Sequence, residues 1–260
     1  MKTLWAIDIT ARAPGVAARE WTLPTGEMHL VFRLSEAPVR LFERAQGAAG
    51  RSVDLAVVAG MRDVSYLREG AAAGRTVGVQ LHPGVSPLLF GASADELAGR
   101  HWALDDFWGA DAARARARLL EVGSLTAQLD LLERLLAARL PRARGLHPAV
   151  ALALERLGAA VSVGEVVRES GRSHRAFISL FRRAMGVSPK IYCRVQRFQR
   201  VIRRLTAEPA APWADVALDT GYSDQPHFVR EFRRLAGITP SEYRALAARG
   251  HHVPLRPAGR

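Results

Sequence analysis

The feature that most constrains this chain is an internal repeat in its second half. AFISLFRRAMGVSPKIY (176–192) aligns with HFVREFRRLAGITPSEY (227–243) at an offset of 51. Phe177 falls on Phe228, Phe181 on Phe232, Gly186 on Gly237, Pro189 on Pro240 and Tyr192 on Tyr243. Upstream, EVVRESG (165–171) aligns with DVALDTG (215–221) at an offset of 50, so one extra residue sits after the second glycine, where a loop tolerates it. Each copy predicts a short helix, Glu165–Ser170 or Asp215–Thr220, with an acid in its first turn. Gly171 or Gly221 then stops it in the left-handed conformation. Ser173 or Ser223 caps a second helix, which ends at Gly186 or Gly237. A Ser-Pro or Thr-Pro pair follows, with the proline at the first helical position. Helix, glycine turn, helix is the helix-turn-helix plan, whose second helix enters a major groove of DNA. The alternative, a helical solenoid, wants three or more copies at a shorter period.

The aromatics of each second helix stand four apart and so share one face, which marks Phe177, Phe181, Phe228 and Phe232 as core. Tyr192, Tyr243 and Trp213 read as packing residues too. Between the units, PKIYCRVQRFQRVIRRL (189–205) carries Ile191, Val195, Phe198 and Ile202 on one helical stripe. Arginines fill the rest of this strut, which can hold two reading helices a fixed distance apart.

Charge separates the chain into two parts. The net is +12, yet residues 1–160 hold 19 basic and 17 acidic side chains while residues 161–260 hold 18 and 8. From Arg172 to Arg204 there are ten basic residues and no acid, a folded surface that faces an anion. The arginine excess as such also follows from a GC-rich genome, so its distribution carries the argument. The boundary falls in RLPRARGLH (139–147), where Pro141 and Gly145 interrupt two helical patterns.

These repeats resemble the AraC/XylS family of transcription regulators over about Ala149–Ala247, most specifically in GYSDQPHFVREFRRLAGITPSEYR. SPK (188–190), RFQR (197–200) and DQPHF (224–228) resemble a subgroup whose N-terminal domain has a poorly understood role; LPTGEMHLVFRL, VGVQLHPGVSPLLFG and LDDFWG look similar to that domain. The resemblance implies two helix-turn-helix units joined by a long helix. It places base contacts at Arg175, Ile178 and Ser179 in the first unit and at Gln225, His227 and Arg230 in the second. Phosphates would be held by Arg182 and Arg233. Ile178 departs from the family pattern, which often has a polar residue there; it either touches a thymine methyl or belongs to the core. Val167 stands where many members have alanine, as Ala217 does in the second unit.

In the first half, Met28, Leu30, Phe32 and Leu34 alternate, as do Val53, Leu55 and Val57 in 52–58 and Val77, Val79 and Leu81 in 76–81. These read as half-buried strands, punctuated by Gly47, Gly50, Gly60, Gly70 and Gly74. Helices are expected over Asp111–Glu121 and Ser124–Leu140. In the second, Leu125, Leu129, Leu132 and Leu136 form a stripe flanked by Leu131 and Leu135, which either pairs with a second copy as a homodimer contact or packs on its own barrel.

The expected fold is α+β: an N-terminal small β-barrel or sandwich with helices over 1–140, an all-α tandem helix-turn-helix domain over 147–249, and a tail over 250–260. Double-stranded DNA is the expected partner. RNA polymerase and an unidentified small-molecule effector in the N-terminal domain are partners the resemblance implies. His29, His82 and His101 lack tight ligand spacing, so no metal is expected. No nucleophile-elbow, zincin or P-loop pattern occurs, so neither enzyme chemistry nor a cofactor is expected. The single Cys193 excludes an internal disulfide and the family-related DNA-repair chemistry that needs several cysteines. No apolar run approaches the ~20 residues of a membrane helix, and the first residues lack a signal peptide's apolar stretch, so a cytoplasmic, non-membrane protein is expected. The rival readings are a non-specific architectural nucleic-acid binder and an enzyme tethered by a basic domain.

Overall fold

The structure is a computed structural model that describes residues 2–9, 19–36, 38–42, 50–69, 74–140, 145–159, 161–246 and 250–255. Among the described residues, nine strands lie in the first half: β1 (Thr3–Ile9), β2 (Arg19–Thr22), β3 (Met28–Arg33), β4 (Val39–Phe42), β5 (Arg51–Val53), β6 (Ala56–Ala59), β7 (Tyr66–Glu69), β8 (Gly74–Leu81) and β9 (His101–Ala103). Among and after them come α1 (Ser86–Phe90), α2 (Ala94–Leu97), α3 (Asp105–Trp108), α4 (Ala110–Glu121) and α5 (Leu125–Arg139). The second half holds α6 (Pro148–Gly158), α7 (Val163–Glu169), α8 (His174–Met185), α9 (Pro189–Ala207), α10 (Trp213–Asp219), α11 (Gln225–Ala236) and α12 (Pro240–Ala245). A last strand, β10 (His252–Pro254), follows.

The strands form two five-stranded antiparallel sheets, ordered β1-β8-β3-β6-β9 and β10-β2-β7-β4-β5. Period-2 alternation explains the first sheet. Met28, Leu30, Phe32, Ala56, Val58, Val77, Val79 and Leu81 point from it into the main core, where α1 to α5 cover them. The intervening His29, Val31, Arg33, Val57, Thr76 and Gln80 line an interior cavity on the opposite face.

One strand expectation is corrected. Residues 52–58 are not a single strand: β5 ends at Val53 and pairs with β4, while β6 starts at Ala56 and pairs with β3 in the other sheet. Asp54 and Leu55 make the crossing. Their carbonyls are held by Arg33, whose Nη1 donates to Asp54 O at 2.9 Å and whose backbone N–H donates to Leu55 O at 2.7 Å. Gly47 and Gly70 lie outside the described residues.

Ser124 caps α5 by accepting from Ala127 N–H. Leu131, Leu132 and Leu136 are buried in the chain's own core, with α5 packed on β1 and β8. The leucines offered as a dimer seam are therefore largely spent inside one chain; Leu125 and Leu129 stay half-buried.

The late strand β10 closes the second sheet. His252 pairs with Thr22 and Pro254 with Glu20. Flanking bonds from Leu23 N–H to His251 O and from Leu255 N–H to Arg19 O extend the match to 2.8 and 2.7 Å. A segment beyond the second repeat thus belongs to the N-terminal sheet.

Candidate nucleic-acid interface

The two units obey their sequence grammar. Gly171 and Gly221 take φ +65° and +82°, and Gly186 and Gly237 end the second helices at φ +86° and +76°. Ser188 and Thr239 cap the helices that follow, each with its proline in the first turn. The extra residue lies in the second turn, and it moves the cap. Ser173 caps α8 by accepting from Ala176 N–H, but Asp224, not Ser223, caps α11, accepting from His227 N–H at 2.6 Å. Ser223 instead donates to Asp224 Oδ2 and meets His227 Nδ1 at 3.0 Å.

The aromatics are core, as expected. Phe177, Phe181, Phe228 and Phe232 are at most 1% exposed. Tyr192 stands edge-on to Phe181 and Tyr243 edge-on to Phe232, while Trp213 lies against Phe228 and under the Arg244 guanidinium. Val195, Phe198 and Ile202 of the strut are buried, with Ile191 packed beside them. Nineteen residues make the strut about 28 Å long.

Arg175, Ser179, Gln225 and Arg230 are exposed, as are Arg182 and Arg233. Ile178 and His227 are half-buried, Ile178 against the core of the first unit. Among the described residues these four arginines have no ion pair or hydrogen bond to another side chain, so their forks are open to an anion. The strut arginines are different. Arg194 clamps Glu231 of α11 with two bonds of 2.7 and 3.0 Å, Arg197 lies over the Tyr222 ring, and Arg204 reaches Glu208 and Asp219. Much of the basic run Arg172–Arg204 therefore braces the domain.

The N-terminal domain touches both units at the ends of their second helices. Ala94 O of α2 lies where a side chain on Gly186 would press, and Trp21 and Ser65 crowd Gly237. Ala184 O accepts from Gly84 N–H at 3.0 Å and Leu235 O from Ser65 N–H at 2.8 Å. The start of each second helix, where the base-contact positions cluster, is left clear. A third tie reaches the strut. Gln199 donates from Nε2 to Pro24 O, so its oxygen accepts, and His251 donates to it from Nε2 at 2.8 Å.

His251 also lines the cavity between the sheets, a partly open space of about 360 Å³. His29 and His101 line it as well, whereas His82 is exposed, so two of the three scattered histidines meet in one place. Burial, aided by the positive groups around them, pushes His29 down to about 4, His101 to about 3 and His251 to about 4. All three are neutral near pH 7 and offer hydrogen bonds, not charge. Glu20 behaves oppositely. Burial alone would raise its carboxyl, but the His252 hydrogen bond and the Arg68 charge outweigh this and hold it down to about 2. Sequence reasoning missed this cavity and its Arg33, Arg62 and His251. The available signal was a strand, MHLVFR, whose non-core face carries His and Arg.

Residues 166–246 match a family described as a helix-turn-helix domain, and residues 1–103 match a domain of unknown function, DUF6597. The second half of the chain thus matches a helix-turn-helix domain and the first half matches DUF6597. Over 86 residues it is 37% identical to YkgA of Escherichia coli (strain K12), which carries the name of an HTH-type transcriptional regulator; the match covers 32% of this chain and 35% of YkgA. Over 83 residues it is 34% identical to the probable transcriptional regulator LumQ of Photobacterium leiognathi, covering 32% and 33%. About a third of each relative is therefore matched. ToxT from Vibrio cholerae is similar over 94% of this chain and 97% of its own, at 9% identity and a TM-score of 0.47.

Proposed function

We propose that this chain is a sequence-specific DNA-binding transcription regulator, working in the cytoplasm by binding and not by catalysis. The observation that carries this reading is the pair of matched helix-turn-helix units on one strut, each presenting open arginine forks at a second helix whose start is uncovered. Arg175, Ile178 and Ser179 read bases in one major-groove segment, and Gln225, His227 and Arg230 read the next. Arg230 suits a guanine and Gln225 an adenine, each worth about 1–3 kcal/mol of discrimination. Ile178 contributes the apolar surface its packing leaves free. Arg182 and Arg233 hold phosphates, which supply much of the affinity and make it steeply salt-dependent. Residues 1–140 act as the regulatory part, with an effector in the cavity, and 147–249 as the reading part. RNA polymerase is a partner in this reading. A homodimer through helix 124–140 would have to use Leu125 and Leu129, since the deeper leucines are occupied.

Selection of sites from a random duplex library at ~150 mM salt tests this. The expected result is an enriched motif in two parts, spaced about one helical turn. Tight binding without enrichment would favour the architectural reading instead. On the enriched site, Arg230→Ala should relax one base position, whereas Arg233→Ala should weaken all duplexes alike.

A further inference from the structure

The cavity between the sheets has a charge problem. Three guanidinium groups stand in its described lining, those of Arg33, Arg62 and Arg68, against one carboxylate, Glu27, which is paired with Lys2. Arg68 is neutralised by Glu20. Arg33 is only 8% exposed and its side chain bonds the Asp54 carbonyl. Arg62 contacts His101 Nδ1 at 3.2 Å and the Tyr66 ring, and its buried Nε has no partner. Neither Arg33 nor Arg62 pairs with a carboxylate among the described residues. Arg62 and His101 are in direct contact, and Arg33 stands in the same lining. Burial draws both guanidinium groups below their usual range, Arg33 to about 10. A buried charge with no counter-ion is costly unless something completes it. The rest of the wall is largely apolar, with Trp5, Ile7, Val31 and Val57. Its size lies within the about 300–1,000 Å³ of small-molecule sites and exceeds twice the about 150 Å³ that holds benzene.

We propose that this cavity binds a small organic carboxylate, its anionic end on the Arg62–His101 pair in the field of Arg33 and its apolar body along Trp5, Val31 and Val57. The inference rests on reading the cavity as the effector site and names the chemistry of that effector. Planar guanidinium forks match a carboxylate's two oxygens, and neutral histidines supply further donors. A neutral polyol would leave the apolar wall unmatched and the two charges uncompensated. The occupant would also meet His251, and through it Gln199 of the strut. The ligand thus touches the sheet and the segment that follows the reading domain together.

The test uses the full chain and melting temperature. Benzoate, cinnamate, 2-naphthoate and octanoate are compared with their primary amides and with inorganic phosphate. At least one carboxylate should raise Tm by several degrees while its amide does not. An amide acting as well as its acid, phosphate acting alone, or no carboxylate acting would each overturn the proposal. Arg62→Met keeps the bulk of the stem and removes the charge. Without added ligand it should leave Tm unchanged or raise it, and it should abolish the carboxylate response. A fall of several degrees in the empty protein would make Arg62 a structural brace and overturn the proposal on its own. Binding to the selected duplex, measured alongside, separates the two readings. If acid and amide both change DNA affinity, effector control stands and the carboxylate assignment fails. If the acid raises Tm but leaves DNA affinity unchanged, the carboxylate assignment stands and control fails.

Discussion

The two helix-turn-helix units share a grammar and differ in their surroundings. The first has a core of its own, with Val150, Leu157, Val166, Phe177 and Phe181 packed together. The second has none. Its Val216, Phe228, Phe232 and Tyr243 belong to the same continuous core as Leu30, Val79 and Leu132 of the N-terminal domain. The N-terminal domain, the strut and the second unit are thus one packed body, and the first unit is a smaller module joined to it through Tyr192, the end of α8 and the packing of α6 on the strut. Repetition in sequence fixes the local plan of each unit. What each is fused to depends on residues outside the repeat, such as Trp21, Ser65 and Gln199.

The sharpest way to break this contrast is to cut one aromatic from each core. Phe232→Ala and Phe181→Ala should each cost about 3–5 kcal/mol locally. Amide hydrogen exchange should show Phe232→Ala lowering protection in β3 and β8 as well as in α11, while Phe181→Ala spares the sheets. Equal loss in the sheets from both variants would mean a single cooperative body. Acid should act on the larger body by itself. His29, His101 and His251 titrate near 6.5 unfolded and near 3–4 folded, so between those values the unfolded chain binds more protons. Their stabilisation is whole above pH 6.5 and shrinks as pH falls toward about 4, at about 1.4 kcal/mol per pH unit for each proton taken up. Denaturant melts at pH 7 and pH 5 should show the sheets losing stability; a flat profile would mean these histidines are solvated. Arg194→Ala, which frees Glu231, should cost about 1–3 kcal/mol, read as a lower urea midpoint in α11 and the strut. The smallest effects belong to the caps. Ser173→Ala and Asp224→Ala should each cost about 1 kcal/mol, while Ser223→Ala should cost less, since Ser223 caps nothing.

The helical half was legible because its signals are local. Glycines, prolines and paired phenylalanines at fixed spacing define elements whatever surrounds them, and even the one-residue difference in offset marked the turn where the cap shifts. In the first half, alternation in β3 and β8 identified the core face. It was silent on the other face, because a side chain lining a cavity and one facing water follow the same period. Arg33, on that silent face of β3, therefore carries no signal in the sequence that sets it apart from a surface arginine. In 52–58 the apolar pattern runs on unbroken while the chain changes sheets, since both sheets present apolar residues inward. The pairing of β10 with β2 was beyond reach: three residues contain no pattern, and their partner stands at the other end of the sequence.

That pairing bears on how the protein is made. Until residues 252–254 emerge from the ribosome, β2 is an uncovered edge with free backbone donors and acceptors, the kind of edge that recruits other chains. The N-terminal domain is synthesised first but completed last, and the reading domain must be threaded out before its neighbour can close. Truncating the chain after α12 would then free no independent sensor. It would leave a sheet with an open side, prone to pair with a second copy of itself.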